Sequence, residues 1–170
     1  NDNILRTPIY ESKLDRYFEK MVLQTPDSLK KECDMILGKA KAHKEMFKFT
    51  VITLTNKYGK SKIMGLDEVF VHMVDNYYSN GQAFWLDSAG LYRLQDRAKT
   101  LKYTLVGNPA PNITMKDTAD QFRVLYNECY ADYNVMIFWD PDCGHCKKEI
   151  PKWNEEYEKL KKDYNIIFSL

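Results

Sequence analysis

The sequence has little glycine and proline, 7 and 6 residues among 170, and it has no long apolar run. So low a content of both residues argues against a fibrous or a disordered chain. A membrane span needs about 18 consecutive apolar residues, so we expect none here. Neither positive nor negative charge dominates, because the chain has 25 Lys and Arg and 24 Asp and Glu. A nucleic-acid-binding protein shows a basic excess, so we expect no nucleic-acid partner.

Cysteine is also sparse, with four residues in the chain. This is too few for a small domain held together by disulfides, so we interpret the cysteines as chemical rather than structural. Two of them form the motif Cys143-Gly144-His145-Cys146. Cys33 falls on the apolar face of a predicted helix, where we expect an inert, buried thiol. For Cys129 we favour burial over a third redox thiol.

Residues 1–105 read as an α-helical domain. Thr25 and Pro26 have the residue types of a helix start, with Thr25 as the N-cap. A second helix is predicted to end at Gly59, a third to begin near Leu66, and a last one to run from about Ser88 to Leu101. Apolar residues recur on one face of each. The role of this domain does not follow from the pattern.

Residues 106–112 contain two prolines and a glycine, which predict an extended connector. Beyond it the periodicity changes. Residues 135–139 are a continuous apolar run, typical of a strand buried on both faces. An amphipathic helix follows from Cys143, and residues 165–168 predict a second strand. This order predicts a parallel βαβ unit, so the fold class is an α-helical domain followed by part of an α/β domain.

The dithiol lies between a strand and a helix N-terminus, which suits thiol–disulfide exchange. The reacting species is the thiolate, and helix N–H groups with the helix dipole stabilise an anion by up to about 2 kcal/mol. We expect Cys143 to be the exposed nucleophile. Cys146, one turn further on the apolar face, is suited to resolve the mixed disulfide. A protonated His145 would stabilise the thiolate and make the disulfide more oxidising.

The stretch from Phe138 to Pro151 strongly resembles the thioredoxin superfamily. Trp139, four residues before Cys143, matches the tryptophan of that superfamily, and Pro151 matches the proline that kinks its active-site helix. Residues 106–117 look like the entry of the TlpA/ResA-like and peroxiredoxin branches. The resemblance implies that residues 106–170 are the N-terminal part of a thioredoxin-like domain. It further implies an oxidoreductase or isomerase for protein disulfides, with protein thiols and a redox partner protein as partners and without a cofactor.

Residues 5–103 resemble, more weakly, a helical domain of unknown function that precedes TlpA-like modules in Gram-negative bacteria. That pairing implies an extracytoplasmic, periplasmic location. Ile137 departs from the pattern, since many thioredoxins have a buried acid there. The chain opens on Asn1 without Met and stops after the second predicted strand. We therefore expect a mature or trimmed form that is truncated within the thioredoxin-like domain.

Four alternatives to the oxidoreductase can be weighed. A Cys-x-x-Cys pair can be half of a zinc site, but no second pair of ligands follows, so we expect no metal. Attachment of haem is disfavoured because Lys147 stands where histidine is needed. A thiol peroxidase would share the entry motif, although peroxiredoxins carry Thr or Ser where this chain has Asp140. The fourth alternative is a binding module, in which the helical domain holds a partner and the dithiol is silent in this chain.

Overall fold

The structure is a computed structural model, and it describes residues 4–5 and 7–169. The chain divides into two compact units, Asn1–Pro111 and Asn112–Leu170. The first unit is helical and the second contains strands. No helix in the described part of the chain is both long and apolar enough to cross a membrane.

Among the residues that the structure describes, the first unit contains five α-helices. They are α1 (Ile9–Lys20), α2 (Pro26–Ala40), α3 (Lys44–Gly59), α4 (Asp67–Met73) and α5 (Ser88–Lys102). Thr25 stands at the N-cap of α2, and Pro26 is its first helical residue, which confirms the predicted start. The predicted end of α3 at Gly59 is also confirmed. The buried apolar core runs through this unit from Leu14 to Ala98 and includes Cys33 of α2.

A π-helical segment, Val74–Tyr78, continues directly from α4. The N–H of Ser79 donates to the carbonyl of Val74, five residues back, at 3.0 Å. The apolar side chains Val74, Tyr77 and Tyr78 of this segment are buried in the core. Apolar periodicity predicted a helix here but gave no sign of the wider turn.

In the second unit, the described residues up to Ser169 form two short pairs of strands. β1 (Thr114–Lys116) and β2 (Phe122–Val124) are antiparallel, with Met115 opposite Arg123. A single turn, α6 (Leu125–Glu128), follows. β3 (Tyr133–Met136) and β4 (Ile166–Ser169) are parallel, and α7 (Gly144–Leu160) connects them. The predicted parallel strand–helix–strand unit is confirmed.

The prediction that residues 135–139 form a strand buried on both faces was wrong. β3 ends at Met136, and Phe138 and Trp139 beyond it are 73% and 42% exposed. One face of the sheet is covered by α7, since Phe168 lies 6.3 Å from the Trp153 ring and 5.1 Å from the Tyr157 ring. Residues of the other face line an open cleft of about 290 Å³, which the β1–β2 hairpin also lines. Burial on both faces needs a packed layer on each side, and only one is present among the described residues.

Candidate active site

The dithiol stands where the loop after β3 enters α7. Cys143 occupies the N-cap position in an extended conformation, and Gly144 is the first helical residue. The Cys143 N–H donates to the Asp140 carbonyl at 3.1 Å. The carboxylate Oδ1 of Asp140 accepts the N–H of Asp142 at 2.8 Å. These two bonds form the turn that presents Cys143 at the helix entrance.

The environment of Cys143 favours its thiolate. Its pKa is lowered, first by hydrogen bonding from the backbone N–H of Cys146, then from the Cys146 thiol, and then from the backbone N–H of His145. These amides belong to the first turn of α7, whose N–H groups have no partner within the helix. Cys143 and Cys146 are both free thiols and partly exposed. A thiolate that solvent and a polypeptide can reach is able to attack a disulfide.

The other residues predicted for this site lie close to the dithiol in the sequence, either in the loop before α7 or within α7. His145 is exposed on the first turn. The pKa of Glu149 is lowered first by a hydrogen bond from Lys152, then by the charge of Lys152, and less by His145. Trp139 lies in the loop before the turn. Pro151 lies inside α7, where its ring cannot donate to the Lys147 carbonyl. Gly144 faces open space, because a Cβ built there meets no atom within 4 Å.

Sequence reasoning missed the part played by Asp140. Its carboxylate holds the turn through the N–H of Asp142, which is the hydrogen bond of an Asx turn. The signal was available, because Asp-Pro-Asp immediately before Cys143 is a composition typical of turns. Asp140 therefore shapes the loop that positions the nucleophile.

The two isolated cysteines differ from each other. Cys33 is fully buried, and burial raises the pKa of its thiol, which fits an inert core residue. Cys129 is exposed, so the prediction of its burial was wrong. It follows the four-residue α6, and Tyr130 beside it is 76% exposed. One helical turn cannot cover this loop. In the described ranges, no group of three or more His, Cys, Asp or Glu side chains could hold a metal ion.

Comparison with solved structures identifies the fold class. The chain is similar to the crystal structure of a thioredoxin-like protein from Bacteroides caccae, with a TM-score of 0.61 and 17% identity. The match covers 84% of this chain and 51% of that protein. The chain therefore has a helical unit followed by part of a thioredoxin-like fold, as the sequence predicted.

Curated proteins match over a shorter stretch. The chain is 42% identical over 55 residues to protein disulfide-isomerase A4 of Bos taurus, which is 32% of this chain and 8% of that protein. It is 44% identical over 52 residues to protein disulfide-isomerase A3 of Gallus gallus, or 30% of this chain and 10% of that protein. The chain thus spans a tenth or less of these relatives. By its residues 1–104, it belongs to the family described as Domain of unknown function (DUF5106).

Proposed function

We propose that the protein is a thiol–disulfide oxidoreductase that acts on protein disulfides through Cys143 and Cys146. The observation that carries this proposal is the position of Cys143, at the N-cap of α7 with its pKa lowered by the amides of the first turn. The thioredoxin-like fold and the short similarity to protein disulfide-isomerases support it. The partners would be proteins with thiols or disulfides, among them a redox partner protein.

The reaction needs two displacement steps. The Cys143 thiolate attacks one sulfur of a substrate disulfide, forms a mixed disulfide and releases the other sulfur as a thiolate, which takes a proton from water. Cys146 then loses its proton and attacks the Cys143 sulfur, which releases the reduced substrate and leaves a Cys143–Cys146 disulfide. Two electrons pass from the dithiol to the substrate. Since Ile137 stands where many thioredoxins have an acid, water or another group accepts the Cys146 proton.

Isomerisation uses the same first step. If a second substrate thiolate attacks the mixed disulfide before Cys146 does, the substrate disulfide is rearranged and the dithiol is regenerated. We propose His145 as the residue that favours this behaviour, because a cation beside Cys143 stabilises the reduced form. The 42–44% identity to protein disulfide-isomerases over 52–55 residues supports the proposed isomerase activity.

We also propose a TlpA/ResA-like branch and a periplasmic location. The support is the resemblance of residues 106–117 to the entry of that branch, preceded by a helical domain. Fractionation of cells that express the natural protein tests the location. Recovery in the cytoplasmic fraction alone would contradict it.

The activity is tested by insulin reduction and by reactivation of scrambled ribonuclease. Cys143→Ser should abolish both activities, while Cys146→Ser should stop turnover and accumulate the mixed disulfide. Cys129→Ser is the matched control, because it removes an exposed thiol outside the motif. Activity that survives Cys143→Ser would reject the proposal and leave the helical unit as a partner-binding module.

A further inference from the structure

The helical unit contains an open cleft of about 370 Å³ outside the dithiol site. It is lined by the loop between α3 and α4, by the start of α4 and by the end of α5 with the residues that follow it. Phe70 and Leu101 contribute apolar surface from within the helices.

Three large apolar side chains on the lining of this cleft face solvent. Ile63 is 61% exposed, Met64 is 87% exposed and Val106 is 65% exposed. They belong to adjacent segments, since a Cβ added to Gly65 would lie 4.0 Å from Cγ2 of Val106. Grouped apolar exposure of this kind marks a binding surface more often than apolar residues scattered singly. Methionine in particular adapts its shape to different partners.

Charge on the lining is mainly positive. Lys62 and Arg97 are exposed, and neither forms an ion pair with any residue in the described ranges. Arg97 does donate to the Gly59 carbonyl, and its guanidinium lies 4.6 Å from the centre of the Phe70 ring. This fixes the cation at the cleft while leaving other N–H groups for a ligand. Apolar side chains beside uncompensated cations are complementary to a ligand that is apolar and acidic.

Asp67 is the acidic residue of the lining, and one of its carboxylate oxygens accepts no hydrogen bond. Its Oδ1 atom is buried and has no hydrogen-bond partner. An unsatisfied buried oxygen is unfavourable. Rotation of this side chain toward the cleft would let the oxygen accept an N–H from a bound main chain.

We propose that this cleft binds an unfolded polypeptide segment in which apolar side chains are flanked by acidic residues. The apolar side chains would enter among Ile63, Met64 and Val106. The flanking carboxylates would pair with Lys62 and Arg97. The proposal needs no thiol chemistry and is independent of the reaction assigned to the dithiol.

The test is fluorescence anisotropy with the full chain and short labelled peptides that lack cysteine. The first peptide has leucines flanked by glutamates, the second has lysines in place of the glutamates, and the third has serines in place of the leucines. The acidic, apolar peptide should bind about two- to fivefold more tightly than the basic one at low salt. The acidic, apolar peptide should also bind at least about tenfold more tightly than the serine peptide.

Substitutions on the lining test whether the peptide binds in this cleft. Met64→Ser should weaken binding of the acidic peptide about tenfold, and Lys62→Glu should reverse the preference between acidic and basic peptides. Met21→Ser is the matched control, because Met21 is 76% exposed and does not line the cleft. Equal affinity for the three peptides, or binding that neither cleft variant changes, overturns the proposal. Self-association that Met64→Ser abolishes would assign the cleft to a second copy and also overturn it.

Discussion

His72 and Tyr77 both contact the same oxygen, Oδ1 of Asp34, at 2.8 and 2.6 Å. They are five residues apart, which in a regular α-helix would place them about 140° apart around the axis. The π-helical segment Val74–Tyr78 brings them to one side. Asn76 of the same segment lies 3.0 Å from Nδ1 of His72. The wider turn therefore joins the π-helical segment to α2 through one carboxylate.

Removing the Tyr77 hydroxyl should destabilise the helical unit. A hydrogen bond to a charged group contributes about 1.5–3 kcal/mol, so Tyr77→Phe should lower the free energy of unfolding by about that amount. Denaturant unfolding followed by circular dichroism measures it. Tyr92→Phe, which alters a 69% exposed tyrosine, should leave the midpoint unchanged. Equal midpoints for both variants would contradict a stabilising role for the Asp34 contact.

The lowered pKa of Cys143 should appear in its reactivity. The rate of alkylation by iodoacetamide, read by mass spectrometry at each pH, should titrate below the value of about 8.5 typical of a free cysteine. Buried Cys33 should stay unmodified until the protein unfolds. The same Cys143 peptide in denaturant provides the reference, because unfolding removes the amides of α7. A Cys143 profile that is identical in folded and unfolded protein would rule out stabilisation by the helix.

The same shift links pH to the stability of the reduced protein. Because the pKa of Cys143 is lowered on folding, the unfolded chain binds more protons between the folded and unfolded values. Folding is therefore increasingly favoured as pH rises through that window, and this contribution is lost as pH falls through the folded pKa. Cys143→Ser should remove this part of the pH dependence in denaturant titrations.

Replacing His145 should change the redox potential. We predict that an imidazolium at His145 stabilises the thiolate form, and the backbone N–H of His145 also stabilises it. His145→Pro removes both, so it should lower the potential of the Cys143–Cys146 pair, by about 30 mV for each 1.4 kcal/mol lost. Proline is tolerated in the first turn of a helix, so α7 should persist. Equilibration with glutathione buffers measures the potential, with His43→Gln as the control. An unchanged or raised potential would contradict this role.

Two glycines should respond in opposite ways to alanine. Gly144 has open space around it and lies in the first turn of α7, so Gly144→Ala should leave stability unchanged or raise it by about 0.4–1 kcal/mol. A Cβ on Gly59 would lie 2.9 Å from Cδ2 of Phe70, so Gly59→Ala should cost about 1–3 kcal/mol. Thermal unfolding compares the two. If Gly144→Ala slows insulin reduction without loss of stability, the cause is access to the dithiol.

The sequence was most informative where local chemistry decides the structure. Thr25 with Pro26 predicted the start of α2, and the order strand, dithiol and helix predicted Cys143 at the entrance of α7. It was least informative where distant contacts decide. β2 has three residues, too short for an alternating pattern, and it exists because β1 pairs with it. Whether residues 135–139 and Cys129 are buried depends on the layers around them, which their own apolar character does not determine.

The buried side chains lie between Leu14 and Ala98, and no described residue from 112 to 169 reaches the same degree of burial. Amide protection against exchange with solvent follows burial and packing. Deuterium should therefore enter the backbone around Cys143 and Cys146 through small local openings, long before it enters α3 and α4. The part of the chain that carries the reactive sulfurs is thus the part whose backbone opens most readily.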